Sequence, residues 1–165
     1  MLFDNRLFSD YISIALTPHH VNIVLQNVAM ASLKYNNPPG AATTYGDMCH
    51  YSQTVDLGNG FIKCAGQGGW DSETGALDAN DSTGQVKLAF ENVDKILKAI
   101  GLRGWEDVYM VRTYHTDMRT SFQAVVDAMK ERIPDHKPVW TCIGVTHLAL
   151  PTMLIEIEVE AKRQG

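Results

Sequence analysis

The sequence predicts a single α+β domain in which two helices cover one face of a mixed sheet. The length of 165 residues fits one domain with its own hydrophobic core. Two long segments repeat apolar residues at helical spacing, and several shorter segments read as strands. The predicted order is β-β-α-β-α-β-β. Since two helices of this size cover only one face of a sheet, we expect another copy of the chain to cover the other face.

We place a division near residue 50. Residues 1–49 are expected to form an N-terminal extension, and residues 50–165 the domain. Within the extension, Thr17 followed by Pro18 is typical of a helix start, and apolar residues at helical spacing predict a short helix there. The Asn-Asn-Pro-Pro-Gly segment at residues 36–40 predicts a linker or a surface loop.

The first strands of the domain are predicted at residues 53–57 and 61–65. The Gly-Asn-Gly turn between them, residues 58–60, is typical of a hairpin. Three glycines then crowd around Gln67 within residues 66–69. This crowding indicates that the backbone comes close to a ligand, another strand or another subunit, although packing alone explains it as well.

The clearest helix is predicted from Val86 to Ile100, where apolar residues recur at helical spacing and Gly101 follows. A second apolar stripe runs through the segment between Asp117, the expected N-cap, and Pro134, which stops the helix. Three further strands are predicted, at residues 108–113, 139–145 and 153–160.

Composition disfavours several classes of protein. With 14 Lys and Arg against 19 Asp and Glu, the formal charge of -5 gives no broad positive field for nucleic acid or an anionic membrane. No apolar run reaches the roughly 18 residues of a membrane span, and the first ten residues do not resemble a secretory signal. We therefore expect a cytoplasmic protein whose three separated cysteines are reduced thiols.

Chemical motifs are sparse. The six histidines form no HxxxH or HxH pattern with a carboxylate, and no GxSxG, Walker A or GxGxxG motif is present, so no metal or cofactor is expected. Glu156 lies in the middle of an otherwise apolar strand, where a carboxylate can have a raised pKa and act as an acid or base. Alternatively, Glu156, Glu158 and Glu160 form one solvated face. Cys142 is either a small buried residue or a nucleophile.

Several separated segments resemble the Rid family, also called YjgF-like or L-PSP endoribonuclease-like. The resemblance covers about residues 50–162 and implies a chorismate-mutase-like fold, assembled as a homotrimer with ligand clefts between subunits. The segments that carry it are Tyr51–Asn59, Ala65–Gln67, Gln85–Val93 and Thr141-Cys142, running on to Ile155–Glu158.

The resemblance also implies an activity and shows departures from it. The best-studied branch hydrolyses enamines and imines made by pyridoxal-phosphate enzymes, and an arginine two residues before a cysteine binds the substrate carboxylate. Here that position is Trp140, which cannot pair with a carboxylate, and Ala65 replaces the usual serine of the Ser-Gly-Gln motif. In the family, Glu156 would position the hydrolytic water. The positions that match the family pattern are Tyr51, Gly66, Cys142 and Glu156.

From these positions we predict a site with Glu156 and Tyr51 as catalytic residues. Trp140 and Trp70 would present flat apolar surfaces, which favours an aromatic or apolar ligand, although packing roles explain both. Arg112 and Arg119 are candidates to replace the missing arginine. The predicted substrate-binding residues are Trp140, Cys142, Ala65, Gly66 and Trp70.

Two functions follow from this site, and a third is less attractive. The first is a Rid-like hydrolase, deaminase-like or tautomerising enzyme acting on an imine, enamine or other apolar metabolite. The alternative is a metabolite-binding trimer of the same fold without catalysis. The family's ribonuclease label agrees least with the charge of -5. The extension before residue 50 is expected to cap the trimer or to close the cleft in part.

Overall fold

The structure is a computed structural model that describes residues 33–164. The short helix predicted near Thr17 lies outside these residues. Within them, no helix combines the length and the apolar character needed to span a bilayer. The elements are β1 (Lys34–Asn36), α1 (Ala41–Cys49), β2 (Thr54–Gly58), β3 (Phe61–Cys64), β4 (Gln67–Gly68), α2 (Ser82–Ala99), a 3-10 turn (Trp105–Asp107), β5 (Val108–His115), α3 (Met118–Arg132), β6 (Val139–Gly144) and β7 (Ile155–Lys162).

All seven strands of the described residues belong to one mixed sheet. Its order is β1-β2-β3-β7-β5-β6, and the short β4 pairs with β7 beside β3. Only β5 and β6 run parallel; the other pairs are antiparallel. The central strand β7 places Glu156 opposite Tyr114 and Glu158 opposite Arg112 on β5.

Strand β7 alternates between two environments. Ile155, Ile157 and Val159 are fully buried under the helices, whereas the intervening glutamates are partly exposed on the opposite face. The buried side of the sheet forms one core with the apolar stripes of α2 and α3, including Phe90, whose ring stacks on Trp105 at a centroid distance of 4.4 Å. The predicted α+β class, with helices on one face of a mixed sheet, is confirmed.

Local signals explain the ends of the two long helices. At the start of α2, the carboxylate of Asp81 accepts a hydrogen bond from the backbone N–H of Gly84, and Gly101 follows the helix with a φ of +84°. The predicted N-cap of α3 is confirmed, because Asp117 accepts from the backbone N–H of Arg119. The helix ends at Arg132, shortly before Pro134.

Residues 34–49 contain regular structure where an irregular segment was expected. Strand β1 extends the sheet by pairing with β2, and α1 follows after a short loop. Asn36 therefore belongs to a strand, and only residues 37–40 form the predicted loop. Helix α1 is short, and its N-cap, Gly40, offers no side-chain hydrogen bond, so the sequence carries no clear start signal for it. The division near residue 50 remains a prediction.

Candidate functional site

The Glu156 side chain projects from the open face of β7 and lies directly over Gly66. A Cβ atom built on Gly66 would be only 1.8 Å from Oε1 of Glu156, so only glycine leaves room for the carboxylate here. Desolvation raises the pKa of Glu156, and the negative charge of Glu158 raises it further. No hydrogen bond from residues 33–164 offsets these two effects.

Glu156 lines a cavity of about 330 Å³, a volume near the lower end of the range for small-molecule sites. Apart from Glu156, the lining that the described residues supply has no charged side chain, and most of it is apolar. The remaining lining residues are Tyr45, Cys49, Tyr51, Ala65, Gly66, Trp70, Ala149, Leu150 and Met153. A single desolvated carboxylate in an apolar cavity is an arrangement suited to proton transfer.

The Trp70 side of the cavity is held in place from α2. The side-chain amide of Asn92 donates to the backbone carbonyls of Gly68 and Trp70, each at 2.9 Å. Trp70 is only 4% exposed, and the ring of Tyr45 meets it edge-on at a centroid distance of 5.4 Å. The two aromatic rings therefore form one rigid side of the cavity.

A second buried amide on α2 holds the turn that carries other lining residues. The Gln85 Nε2 atom donates to the carbonyl of Thr152 at 2.8 Å, and its Oε1 atom accepts from the backbone N–H of Leu154 at the same distance. These bonds fix the turn before β7, which carries Leu150 and Met153 into the lining. Both amides lie in the Gln85–Val93 segment on which part of the family resemblance rests.

Helix α1 contributes Tyr45 and Cys49 to the cavity, and several hydrogen bonds attach it to the domain. Its first N–H, on Ala41, donates to the carbonyl of Ser72, and the Tyr45 hydroxyl donates to the carbonyl of Gly75 at 3.2 Å. At its other end, the N–H of Tyr51 donates to the carbonyl of Gly46 at 3.0 Å. These bonds make α1 a fixed part of the cavity.

Five of the predicted site residues come together in the structure. Glu156, Tyr51, Ala65, Gly66 and Trp70 all line the same cavity. Tyr51 also lines a wider groove along β2, so it lies where the two cavities meet.

Trp140 and Cys142 are not part of this cavity within one chain. By register they pair with Val111 and Thr113, which face the helices, so they lie on the opposite side of the sheet from Glu156. The Trp140 ring stacks on Phe122 of α3 at a centroid distance of 5.3 Å. The expectation that Trp140 forms part of the site's surface is therefore not met by a single copy of the chain.

Trp140 instead begins a chain of hydrogen bonds between β6, β5 and α3. Its Nε1–H donates to the Thr113 hydroxyl at 3.0 Å, and Thr113 contacts Nε2 of the fully buried His115 at 2.8 Å. His115 Nδ1 lies 2.6 Å from the Ser121 hydroxyl, which donates to the carbonyl of Asp117. Because the Ser121 hydroxyl donates to that carbonyl, its oxygen is free to accept a hydrogen bond from Nδ1–H of His115, and burial lowers the pKa of the His115 imidazole.

Neither candidate arginine lines the cavity. Arg112 lies on the open face, where its NH1 atom pairs with Oε1 of Glu158 at 2.9 Å. The Arg119 side chain is 90% exposed and pairs with Asp117, the N-cap of its own helix, at 3.0 Å. Both guanidinium groups are thus committed to carboxylates of the same chain.

The sequence interpretation missed the other lining residues. Tyr45 and Cys49 lie on α1, which was not predicted, and Met153 was assigned to the last strand, whereas β7 begins only at Ile155. Pro151 lies in the turn before β7, and a proline there is the sequence feature that indicates a turn close to the start of the predicted strand. In the described part of the chain, no cluster of three or more His, Cys, Asp or Glu side chains could hold a metal ion.

The fold and the cavity together define a class of small α+β proteins that place a carboxylate beside a glycine on the open face of the sheet. A family model described as Endoribonuclease L-PSP matches residues 44–163. The chain belongs to this family, the one that the sequence motifs resemble.

Relatives and solved structures agree with this assignment. A RutC family protein of Pyrococcus abyssi is 33% identical over 114 residues, which cover 69% of this chain and 87% of that protein. The structure of the YjgF gene product from E. coli is 30% identical with a TM-score of 0.61, over 69% of this chain and 88% of that one. RidA from the Antarctic bacterium Psychrobacter is 28% identical with a TM-score of 0.62, over 68% and 87%.

Proposed function

We propose that this chain hydrolyses imines or enamines, with Glu156 as the general base. The observation that supports this proposal is the desolvated carboxylate of Glu156 in an otherwise apolar cavity, without a hydrogen bond from the described residues. Such a carboxylate binds a proton more readily than one in water, so it can take a proton from a water molecule and return it during one reaction.

In the proposed reaction, Glu156 accepts a proton from water while the water oxygen attacks the carbon of the C=N bond. The electrons of that bond move to nitrogen, which takes up a proton. The resulting carbinolamine breaks its C–N bond, forms a carbonyl group and releases ammonia, so that imine and water give carbonyl and ammonia. Tyr51, which lines the cavity, donates a hydrogen bond to the carbinolamine oxygen as it becomes the carbonyl oxygen. An enamine is first protonated on carbon and so enters as its imine.

We further propose that the active form is a homotrimer in which the cavity opens into a cleft between subunits. The helix-free face and the β6 edge support this, because large apolar side chains are exposed there: Phe61 is 41% exposed and Val139 is 66% exposed. A neighbouring copy would then bring its own β6, with Trp140 and Cys142, towards the Glu156 cavity.

The second candidate function is metabolite binding without turnover. Two observations favour it: Trp140 stands where the family has its carboxylate-binding arginine, and Ala65 removes a hydroxyl from the cavity. A protein that has lost two polar contacts to substrate can keep the cavity as a binding site alone.

The experiment that separates the two functions is an assay of ammonia release from aromatic imines that are generated in situ. We expect turnover by the wild-type chain, and a fall of about 100-fold or more in Glu156→Gln, which keeps the shape but removes the base. Glu160→Gln is the matched control, since Glu160 lies on the same face of β7 but outside the cavity. Undiminished turnover in Glu156→Gln would exclude the base role, and binding without turnover in the wild type would favour the second function.

A further inference from the structure

We infer that the cavity takes an aromatic ligand that carries a positive charge on nitrogen and has no carboxylate, such as a protonated aromatic imine or amine. This inference rests on the proposed function in one respect: it assumes that the Glu156 cavity is the ligand site. The juxtaposition that carries it is the Glu156 carboxylate, which has no ion-pair partner among residues 33–164, beside the aromatic pair Trp70 and Tyr45.

The charge that the described residues supply to the cavity is negative and comes from one side chain. Among residues 33–164, Glu156 is the only charged residue in the lining, and Glu158 lies two residues along the same face of β7. A ligand carboxylate would be placed against Glu156 in a poorly solvated space, at a large electrostatic cost. A cationic nitrogen would instead form a charge-assisted hydrogen bond with the Glu156 carboxylate.

The arginine and lysine side chains described on the open face pair with other glutamates and do not neutralise Glu156. On the open face, Arg112 pairs with Glu158 at 2.9 Å and Lys63 pairs with Glu160 at 3.4 Å. Each of these pairs places a positive charge beside a glutamate other than Glu156. Within residues 33–164 of one copy, neither Arg112 nor Lys63 pairs with Glu156, and a cationic ligand would supply that positive charge.

The shape of the cavity favours an aromatic group next to that charge. Trp70 and Tyr45 present two rings at an angle of 60°, and Met153 and Leu150 complete the apolar lining. A flat ring gains edge-to-face contact with such rings and a favourable contact with the methionine sulfur. A cation held close to the rings gains cation–π attraction as well.

This ligand class agrees with the loss of the family's arginine. A protonated imine of an aromatic aldehyde or ketone needs no carboxylate-binding group, and its C=N carbon is more electrophilic than that of the neutral form. Glu156 would bind the N–H of the cation and accept the proton of the attacking water. Hydrolysis then gives the aromatic carbonyl compound and ammonium.

The test is a calorimetric titration of the full-length protein with two stable probes of similar size. We expect 2-phenylethylamine, a cation at neutral pH, to bind at least about tenfold more tightly than phenylacetate, an anion. Glu156→Gln should lose about tenfold in affinity for the amine, whereas Glu160→Gln, with its glutamate outside the cavity, should stay within about threefold. A further variant, Tyr45→Ala, should weaken binding of the amine through the lost ring contact, whereas Lys87→Ala, at an exposed position of α2 outside the cavity, should not.

Phenylacetate binding as tightly as the amine, or unchanged amine affinity in Glu156→Gln, would overturn the inference. The titration also separates this inference from the proposed function. Amine binding without ammonia release from any imine would refute hydrolysis and leave the ligand class standing. Hydrolysis of aromatic 2-imino acids by a protein that does not bind the amine would leave hydrolysis standing and refute the ligand class.

Discussion

At the scale of single residues, the site depends on a glycine, Gly66, at a position where any side chain would displace the Glu156 carboxylate. Gly66 carries no Cβ, and the Glu156 carboxylate occupies the space that a Cβ would fill. The position of the proposed base is therefore set by a glycine that itself performs no chemistry. Gly66 directly precedes β4, which pairs antiparallel with β7 and places Gly68 opposite Glu156. This pairing keeps the backbone of Gly66 close to the Glu156 carboxylate.

Gly66→Ala should displace the Glu156 carboxylate, because the new Cβ would lie 1.8 Å from Oε1 and the side chain would have to rotate. We expect at least a tenfold loss of amine binding, with cooperative unfolding retained, since a long side chain can move at moderate cost. Calorimetric titration and thermal unfolding measure the two effects. Gly144→Ala is the control, because its Cβ would meet only Met118 Cε at an ordinary 3.6 Å. Full binding by Gly66→Ala would show that the carboxylate position does not matter.

The role of Glu156 was only partly predictable from the sequence. The alternation of β7 predicts which side chains share a face, but it does not say whether that face is solvated or bordered by other elements. Glu158 and Glu160 lie on the same face and have partners, Arg112 and Tyr109, whereas the loops on either side of Glu156 enclose it. That difference arises from loops distant in sequence, which periodicity does not describe.

At the scale of elements, α2 does more than cover the sheet. Two of its buried polar residues, Gln85 and Asn92, use their side-chain amides to hold two segments that contribute lining residues to the cavity. They are seven residues apart and therefore lie two turns apart on the same side of the helix. The helix thus connects the core to the geometry of the site.

Asn92→Ala should lower the free energy of unfolding by about 3 kcal/mol, because it leaves the buried carbonyls of Gly68 and Trp70 without their donor. Asn92→Asp should be at least as damaging at neutral pH, since a carboxylate has no proton to donate and faces two carbonyl oxygens. Chemical denaturation measures both. Lys87→Ala, at an exposed position of the same helix, should stay within about 0.5 kcal/mol of wild type. An equally small effect of Asn92→Ala would remove Asn92 from this role.

The elements with strong local signals were predicted well. Helix α2 has a long apolar stripe and a glycine after its end, α3 has its Asp117 cap, and the first hairpin has its glycine turn. The elements without such signals were missed. Strand β4 has only two residues, and α1 begins at Ala41 after Gly40, an N-cap without a side chain to accept a hydrogen bond. Both are stabilised by contacts that are distant in sequence, and this explains why the Tyr45 and Cys49 part of the cavity was not predicted.

At the scale of the whole molecule, the sheet has one covered and one open face. The open face carries a row of interacting polar groups, in which Tyr114 donates to Glu158 and Tyr109 donates to Glu160, next to exposed apolar rings. Ordered polar groups beside apolar side chains are typical of a surface that another subunit covers. Within residues 33–164, α2 and α3 both pack on the other face and do not cover this surface.

Light scattering should therefore give a solution mass of about 55 kDa, the value for three copies of the 18.3 kDa chain. Val139 is 66% exposed on the edge strand β6, so Val139→Asp should place a charge in the contact and reduce the mass to that of the single chain. A wild-type mass near 18.3 kDa would contradict the proposed trimer and its shared clefts.

The hydrogen-bond chain from Trp140 through His115 to α3 has a consequence for tolerance of acid. An exposed imidazole in the unfolded chain takes up a proton near pH 6.5, whereas burial lowers the pKa of His115 in the folded chain. Between these two pKa values the unfolded chain binds the extra proton, so this contribution to stability is present above about pH 6.5 and is lost as the pH falls below it. In mild acid, the contribution that this buried imidazole makes to stability is therefore lost at β5, the strand that pairs with the proposed subunit contact on β6.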